Sequence, residues 1–398
     1  MFRLALAITA LALLAVELAF SSALPAGSLP AIAAPGGGIQ PEALVGPDGV
    51  LHVLYYQGDP ARGDLFYVHS SDGGKTFTQP LRVNSQPDSA VAAGTIRGGQ
   101  MALGKGGRPH VVWNGSSTAE PKGPPNPEDP ANSPYSGLPM LYSRLNEAGD
   151  AFEPQRNLMR GTFGLDGGGT VAADSQGNVY VAWHAKAPGA AEGEAGRRVY
   201  LARSTDDGKS FSAERPISPE SSGACGCCGM RLYAAEDGTL YGLFRTARDQ
   251  IHRDVDLLVS RDHGQTFSSR RLQKWEINAC PMTSMAFAED DRGVAAAWET
   301  EGQVWWARLP ASPDAPLRPV AAPGPAGKRK HPRLAFDPAG NLLMVWTEVP
   351  GWSKPGAMSW EVFGADGQAL TASPQSSPLP VWSFAAPFWS GSGFAVIQ

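Results

Sequence analysis

The chain has 398 residues, of which 18% are charged, and its formal net charge is -5. Because nucleic-acid binding depends on a concentration of basic residues, this balance argues against a nucleic-acid partner. The 47 glycines and 35 prolines are typical of a chain with many turns between buried strands.

The first 23 residues are predicted to be an export signal. Arg3 precedes an uncharged apolar run from Leu4 to Val16, and Ser21, Ser22 and Ala23 offer small residues for cleavage. The run is short for a bilayer, so no stable membrane span is expected, with an uncleaved anchor as the alternative. Residues 24–38 are interpreted as a linker rich in Pro, Gly and Ala. The mature protein is expected in the periplasm or outside the cell.

Three octets of the form S-x-D-x-G-x-(T/S)-F recur along the chain. They occupy residues 70–77, 204–211 and 260–267. The Ser hydroxyl and Asp carboxylate can bond backbone N–H groups of their own turn, and the Gly accepts a positive φ. The octet is therefore predicted to be a self-contained hairpin turn with a structural role, and its recurrence indicates an internal repeat.

Six apolar runs, each preceded by a Gly- or Asp-rich turn, extend this repeat. Each ends in an aromatic residue: Tyr55, Trp113, Trp183, Phe244, Trp298 and Trp346. Units of this length, built from short strands with almost no helical periodicity, indicate four-stranded propeller blades. The sequence predicts an all-β, six-bladed β-propeller over residues 39–398, with degenerate octets at 143–152, 307–316 and 363–370.

The octets resemble the Asp boxes, or BNR repeats, of the sialidase superfamily, and the likeness covers residues 39–398. The resemblance implies a six-bladed propeller with Asp boxes between the third and fourth strands, on the face opposite the functional mouth. Sialidases use three arginines, an Asp acid/base and a Tyr nucleophile with its Glu. Their first arginine lies in an (F/Y)-R-I-P motif, where this chain has Gly38-Ile39-Gln40-Pro41. No intact sialidase catalytic motif is present, and the catalytic residues are unknown.

This blade geometry predicts a binding rim at one end of the central axis. The starts of the innermost strands and the ends of the second strands share that rim, where propellers usually bind ligands. The strand starts carry Gln40, Glu42, Gln100, Asp166, Cys227, Cys228, Cys280, Met282, His331 and Arg333. The strand ends carry His184, Arg245 and Glu299, among others.

All four cysteines lie at the starts of two adjacent inner strands. Cys225, Cys227, Cys228 and Met230 open the fourth unit, and Cys280 and Met282 open the fifth. In an exported protein the cysteines could form disulfides, pairing Cys225 or Cys228 with Cys280, or Cys227 with Cys228. The alternative is a soft metal site, in which thiolates and Met230 or Met282 would favour copper as Cu(I).

A cationic loop follows the second strand of the fourth unit. It carries Arg245, Arg253 and Asp254, and its arginines could clamp an anionic group. We therefore expect an exported, monomeric propeller that binds a small molecule, a glycan or a soft metal at the mouth. The alternative is an exo-sialidase-type glycoside hydrolase or lyase acting on anionic sugars.

Overall fold

The computed structural model describes residues 29–127, 136–312, 315–348, 353–370 and 375–398. The predicted export signal, residues 1–23, lies outside these ranges. The described residues form seven sheets, whose innermost strands follow one another around a central axis and close into a ring. Among them, no helix has the length and apolar character needed to cross a membrane. The protein is an all-β propeller, as the sequence predicts.

Six blades have four strands in the order in which the chain makes them, from the axis outward. Blade one contains β2 (Ile39–Val45), β3 (Leu51–Asp59), β4 (Arg62–Ser70) and β5 (Leu81–Arg82). Blade two contains β6 (Gln100–Leu103), β7 (Pro109–Asn114), β8 (Met140–Arg144) and β9 (Arg156–Asn157). Blade three contains β10 (Thr170–Ala173), β11 (Val179–Ala185), β12 (Arg198–Ser204) and β13 (Arg215–Pro216).

The later blades repeat this arrangement. Blade four contains β14 (Arg231–Ala234), β15 (Leu240–Arg245), β16 (Val255–Ser260) and β17 (Ser268–Gln273). Blade five contains β18 (Ala286–Asp290), β19 (Gly293–Thr300), β20 (Gln303–Arg308) and β21 (Val320–Ala321). Blade six contains β22 (Arg329–Phe336), β23 (Leu342–Glu348), β24 (Gly356–Phe363) and β25 (Gln375–Leu379). Short 3₁₀ helices lie in the connections at Pro35–Gly37, Lys105–Gly107, Glu194–Gly196 and Glu220–Ser222.

The prediction of six blades is wrong, because the two ends of the chain build a seventh. Its strands are β26 (Ala386–Trp389), β27 (Phe394–Ile397) and β1 (Ala31–Ile32), and β1 pairs with β27 in parallel. This blade has three strands, no octet, and a second strand that ends in Ile397 instead of an aromatic residue. It therefore lacks both signals used to count the repeats. Its outer strand falls inside residues 24–38, the stretch interpreted as linker.

Seven apolar cores, one between each pair of adjacent blades, hold the ring together. The aromatic residues that close the apolar runs in the second strands of blades one to six are all buried and fill six of these cores. Tyr55, for example, packs against Phe388 of blade seven, and Trp183 packs against Met140 of blade two. Burying a large aromatic side chain contributes about 1.5–3 kcal/mol, so the recurring aromatic residue stabilises the contact between blades.

The octets form nearly identical turns between the third and fourth strands of blades one, three and four. In the second octet, Ser204 Oγ donates to Asp206 Oδ1 at 2.6 Å and accepts the Gly208 N–H at 2.9 Å. Asp206 accepts both the backbone N–H and the hydroxyl of Ser210, at 2.9 and 2.6 Å. The other two octets repeat this pattern. The turn therefore satisfies its own polar groups. The degenerate octets fall between the third and fourth strands of the other three four-stranded blades, with residues 313–314 outside the described ranges.

Candidate functional site

Strand order places the predicted rim on one face of the ring. Because neighbouring strands in the four-stranded blades are antiparallel, first strands begin and second strands end on the same face. The octet turns follow the third strands and lie on the opposite face. The segments leading into β14 and β18 carry the four cysteines, so the rim of blades four and five has the most unusual chemistry.

Three of the cysteines form one buried cluster. The Sγ atom of Cys225 lies 3.2 Å from that of Cys228 and 3.5 Å from that of Cys227. All three sulfur atoms lie within 4.8 Å of one another, and each residue is less than 10% exposed. The side chain of Met282, from the segment entering blade five, packs against them. We call Cys225, Cys227 and Cys228 the trithiol cluster.

The loop that carries the trithiol cluster is fixed to three blades. In blade four, the Cys225 N–H donates to the carbonyl of Arg245 at 2.9 Å. In blade three, His184 Nε2 lies 2.9 Å from the Cys228 carbonyl oxygen. On the blade-five side, the Gly229 N–H donates to the carbonyl of Thr283 at 2.9 Å. With its backbone held on three sides, the loop presents the three thiols in a preset arrangement.

Glu194 completes this support from the connection that follows β11. Its Oε1 accepts the Gly226 N–H at 2.5 Å, and its Oε2 lies 2.5 Å from Arg253 Nη1. The carbonyl oxygen of the same Gly226 accepts the Gly167 N–H at 2.6 Å. Arg253 is thereby anchored beside the cluster, where its charge acts on Cys225 and Cys227.

Positive charge around the cluster favours a thiolate at Cys228. Burial opposes ionisation of this thiol, but hydrogen bonds from Cys225 and Cys227, with the charge of Arg245, bring its pKa well below the usual value. Hydrogen bonding to its two neighbours raises the pKa of Cys227. Within the cluster, ionisation is therefore favoured at Cys228 over Cys227.

A buried acid and a half-buried base lie next to this positive charge. Glu299 Oε2 is 3.5 Å from Arg245 Nη2, and Glu299 Oε1 accepts the Gly302 N–H at 2.7 Å. Burial nevertheless raises the pKa of Glu299 to about 7, against the opposing effects of Arg245 and the Gly302 N–H. Burial also lowers the pKa of Lys330, whose ammonium donates to the Pro281 carbonyl at 2.5 Å. The charge of Glu299 beside the trithiol cluster therefore changes near neutral pH.

The structure does not bring all the predicted sulfur residues together. Cys280 is exposed and is not part of the trithiol cluster, and all four cysteines are free thiols. The side chain of Met230 packs in the apolar core between blades three and four, with Leu232 and Phe244. Of the two predicted thioether ligands, Met282 is the one that contacts the cluster.

A network of charged side chains crosses the central axis. Glu42 of blade one accepts from Arg231 of blade four at 2.7 Å and from Arg333 of blade six at 3.0 Å. Gln100 of blade two accepts from Arg231 at 3.2 Å and donates to the Met230 carbonyl at 3.1 Å. We call Glu42, Arg231, Arg333 and Gln100 the axial plug. A cavity of about 20 Å³ beside it, lined in part by Gln40 and Phe384, has room for one water molecule and not for a sugar ring.

The remaining predicted rim residues are engaged within the protein. Asp166 forms an ion pair with Arg97 at 2.5 Å, across blades two and three. His331 Nδ1 lies 3.1 Å from Ser284 Oγ, and burial holds the pKa of His331 well below its usual value. Asp254 is buried, forms ion pairs with Arg248 and Arg271 at 2.7 and 2.9 Å, and fixes its own loop.

Two residues that the structure adds to the site carry no recognisable signal in the sequence. Glu194 lies in a Gly- and Ala-rich connection, where a carboxylate is expected to be solvated. Lys330 directly precedes His331 in β22 and belongs to no recognisable motif. Their roles depend on which neighbouring blade each side chain reaches, and that information is three-dimensional.

Comparisons with known proteins support the fold. No protein-family model matches the chain, and no curated protein matches it. A protein of unknown function from Dyadobacter fermentans is 15% identical, with a TM-score of 0.53, covering 82% of this chain and 94% of that one. The α-L-arabinofuranosidase Arb93A from Fusarium graminearum is 11% identical, with a TM-score of 0.53, covering 83% of this chain and 93% of that one.

A sialidase has a similar fold. The Trypanosoma rangeli sialidase is 13% identical, with a TM-score of 0.50, and the match covers 78% of this chain and 52% of the sialidase. At these identities the likeness concerns the fold alone. The protein is therefore a seven-bladed β-propeller whose fold is similar to that of these three proteins.

Proposed function

We propose that the protein binds a soft metal ion, Cu(I) in particular, at the trithiol cluster in the mouth of the propeller. The observation that carries the proposal is that three buried sulfur atoms lie within 4.8 Å of one another. Thiolate and thioether ligands select Cu(I) and related soft ions over Mg²⁺ or Ca²⁺.

The spacing of the sulfur atoms is close to what one ion requires. Metal–sulfur bonds of about 2.3 Å around a trigonal centre put the sulfur atoms about 4 Å apart. The separations of 3.2 and 3.5 Å would therefore have to grow by less than 1 Å. Small side-chain rotations on a fixed loop are sufficient for that change. Met282, which already contacts the cluster, could add a thioether ligand.

The charges around the cluster also suit a metal–thiolate centre. Metal binding requires deprotonated thiols, so a site with three thiolates and Cu(I) carries net negative charge. Arg245, Arg253 and Lys330 act electrostatically on the sulfur atoms and would offset it. A site built for a free cation would instead be surrounded by carboxylates.

Competition for Cu(I) tests the proposal. Reduced, metal-free protein is titrated with Cu(I) held by a chromogenic chelator, and about one ion per chain is expected. Changing Cys225, Cys227 or Cys228 to Ser should weaken binding by more than the roughly 10–100-fold that loss of an outer-shell partner costs. Cys280→Ser is the matched control and should bind as the wild type does. Failure of the reduced protein to compete, or equal damage from Cys280→Ser, would exclude the site.

Glycoside hydrolysis is the second candidate function. The similar structures include an α-L-arabinofuranosidase and a sialidase, and Glu299, with a pKa near 7, is a carboxyl group that could donate a proton. Fluorogenic sialosides and arabinofuranosides test this candidate. Turnover abolished by Arg245→Ala or Glu299→Gln would favour the hydrolase, whereas no turnover above buffer would leave metal binding.

The proposal also covers the role of the octet turns and the cellular location of the protein. The three octet turns, with their self-bonded Ser and Asp, are interpreted as Asp boxes that set the blade geometry. The N-terminal 23 residues are proposed to direct export to the periplasm or the medium. Mass analysis of the protein recovered from periplasm and medium would report cleavage after Ala23 and bound metal in one measurement.

A further inference from the structure

Two members of the trithiol cluster are spaced as a dithiol pair. Cys225 and Cys228 are separated by two residues, and their Sγ atoms, 3.2 Å apart, are closer than those of Cys225 and Cys227. The Cys228 N–H points at the Cys225 carbonyl oxygen at 3.4 Å, which closes a turn of four residues. Such a turn brings its first and last Cα atoms within about 7 Å, near the upper limit for a disulfide.

We propose that Cys225 and Cys228 form a redox-active couple that is oxidised reversibly to an intramolecular disulfide. A small-molecule disulfide would be the oxidant: its S–S bond breaks as the Cys225–Cys228 bond forms, and two small-molecule thiols leave with the two protons. Cys227 and Cys280 remain thiols. The couple is a separate property of the cluster and does not require that metal be bound.

The geometry favours this pair over the other pairings of the four cysteines. The two sulfur atoms need to approach by only about 1.2 Å to reach the disulfide length of about 2.05 Å. Cys227 and Cys228 are adjacent, so a bond between them would close a strained ring. Cys280 is exposed, whereas the other three thiols are buried.

The fixed backbone of the loop makes closure of the ring efficient. The Cys225 N–H is held by the Arg245 carbonyl, and the Cys228 carbonyl is held by His184. Because both ends are fixed in the reduced protein, little conformational entropy is lost when the sulfur atoms join. A mixed disulfide at one cysteine would therefore be resolved quickly by the other.

Oxidation would also remove the proposed metal site. The disulfide takes two of the three thiols and leaves Cys227 as the one sulfur donor of the cluster that can still form a thiolate. On the proposed function, the reduced protein binds Cu(I) and the oxidised protein does not. The couple then makes metal binding depend on the thiol–disulfide balance of the surroundings.

Thiol mapping of the wild-type chain tests the pairing without a variant that could fail to fold. The metal-free protein is equilibrated over a range of ratios of reduced to oxidised glutathione, unfolded in alkylating reagent and mapped by mass spectrometry. The expected oxidised species has lost two hydrogen atoms, with Cys227 and Cys280 alkylated and Cys225 and Cys228 not. Four alkylated cysteines at every ratio, or a disulfide that includes Cys280, would overturn the proposal.

Variants and a metal titration separate this proposal from the proposed function. Cys227→Ser should keep the two-thiol transition, whereas Cys228→Ser should lose it while retaining the wild-type near-UV circular dichroism. Reduced protein that binds Cu(I) yet forms no Cys225–Cys228 disulfide would refute the couple and leave the metal site. A reversible disulfide in protein that binds no Cu(I) would refute the metal site and leave the couple.

Discussion

Changing Glu42 to Gln tests whether the axial plug holds the ring together. The Glu42 carboxylate is buried between Arg231 at 2.7 Å and Arg333 at 3.0 Å. The substitution keeps the shape of the side chain but leaves the buried Arg333 and the half-buried Arg231 without their shared anion. Removing one partner of a buried ion pair costs about 3–5 kcal/mol. We expect Glu42→Gln to lower the free energy of unfolding at pH 7 by about 4 kcal/mol.

The pH dependence of this loss gives a second measurement. Burial raises the pKa of Glu42, but Arg231 and Arg333 outweigh it and the pKa lies below its usual 4.5. A carboxyl with a lowered pKa contributes stability above its unfolded pKa, and the contribution is lost as the pH falls through the folded pKa. The difference between wild type and Glu42→Gln should therefore shrink as the pH falls below 4.5.

Scanning calorimetry and urea unfolding measure both effects. At about 2.1 cal/mol/K per residue, 398 residues give an unfolding entropy near 0.8 kcal/mol/K, so a loss of about 4 kcal/mol lowers Tm by about 5 °C. Glu220→Gln, at an exposed site in a 3₁₀ helix, is the matched control and should stay within about 0.5 kcal/mol of wild type. A Glu42→Gln protein within about 1 kcal/mol of wild type, or one whose deficit persists at low pH, would refute the reasoning.

Three further predictions concern the site, the turns and the ring. Burial raises the pKa of Glu299 from its usual 4.5 to about 7, so the contribution of this carboxyl to stability is complete below pH 4.5 and is lost as the pH rises through 7. Between about pH 5 and 8, the Glu299→Gln protein should therefore gain on the order of 2 kcal/mol in free energy of unfolding over wild type, measured by urea unfolding. Parallel pH profiles of the two proteins would contradict this. Asp206→Ala removes three hydrogen bonds from an octet turn and should cost about 1–2 kcal/mol in the same assay without changing Cu(I) stoichiometry; lost metal binding would show that the turn is not merely structural. Deleting residues 1–33, but not 1–28, removes β1 from blade seven and should speed amide hydrogen exchange in Phe394–Ile397, and equal exchange in the two proteins would mean that β1 does not protect the blade.

Local signals in the sequence were sufficient for the class of fold. The octets predict a turn because Ser70 and Asp72 can bond only the backbone and hydroxyl groups within reach, and these bonds form. The aromatic residues that close the apolar runs predict buried strands, and Trp113 and Trp298 are buried between blades. Both signals are local, since they depend on a few consecutive residues and on burial.

The number of blades depends on an interaction between the two ends of the chain. Ala31 and Ile32 form a strand only because Val396 and Ile397 lie beside them. A two-residue strand next to Pro30 has no periodicity that could be recognised alone. Ring closure is a long-range contact, so a count of repeats along the sequence finds six units and misses the blade that both termini share.

The site shows the same limit at the level of single residues. Strand order predicts which ends of strands share a rim, and in the structure Met282 packs against the three cysteines of blade four. It does not predict how the chain turns as it enters a blade. The backbone at Met282 is left-handed, with φ of 50°, as it is at Gln40 and His331 near the entries to blades five, one and six. A non-glycine residue in this conformation leaves no mark in the sequence.

The separation of Cys280 from the trithiol cluster follows from that local geometry. Cys280 and Met282 are two residues apart, yet one is exposed and the other packs on the sulfur atoms. The sequence predicts one group of four cysteines, whereas the structure has three thiols in contact and one thiol at the surface. This division makes Cys280→Ser an internal control, because it removes the same chemical group from the same rim. If metal affinity and the disulfide follow Cys225 and Cys228 and not Cys280, then the three-dimensional arrangement of the thiols, and not their number, determines the chemistry.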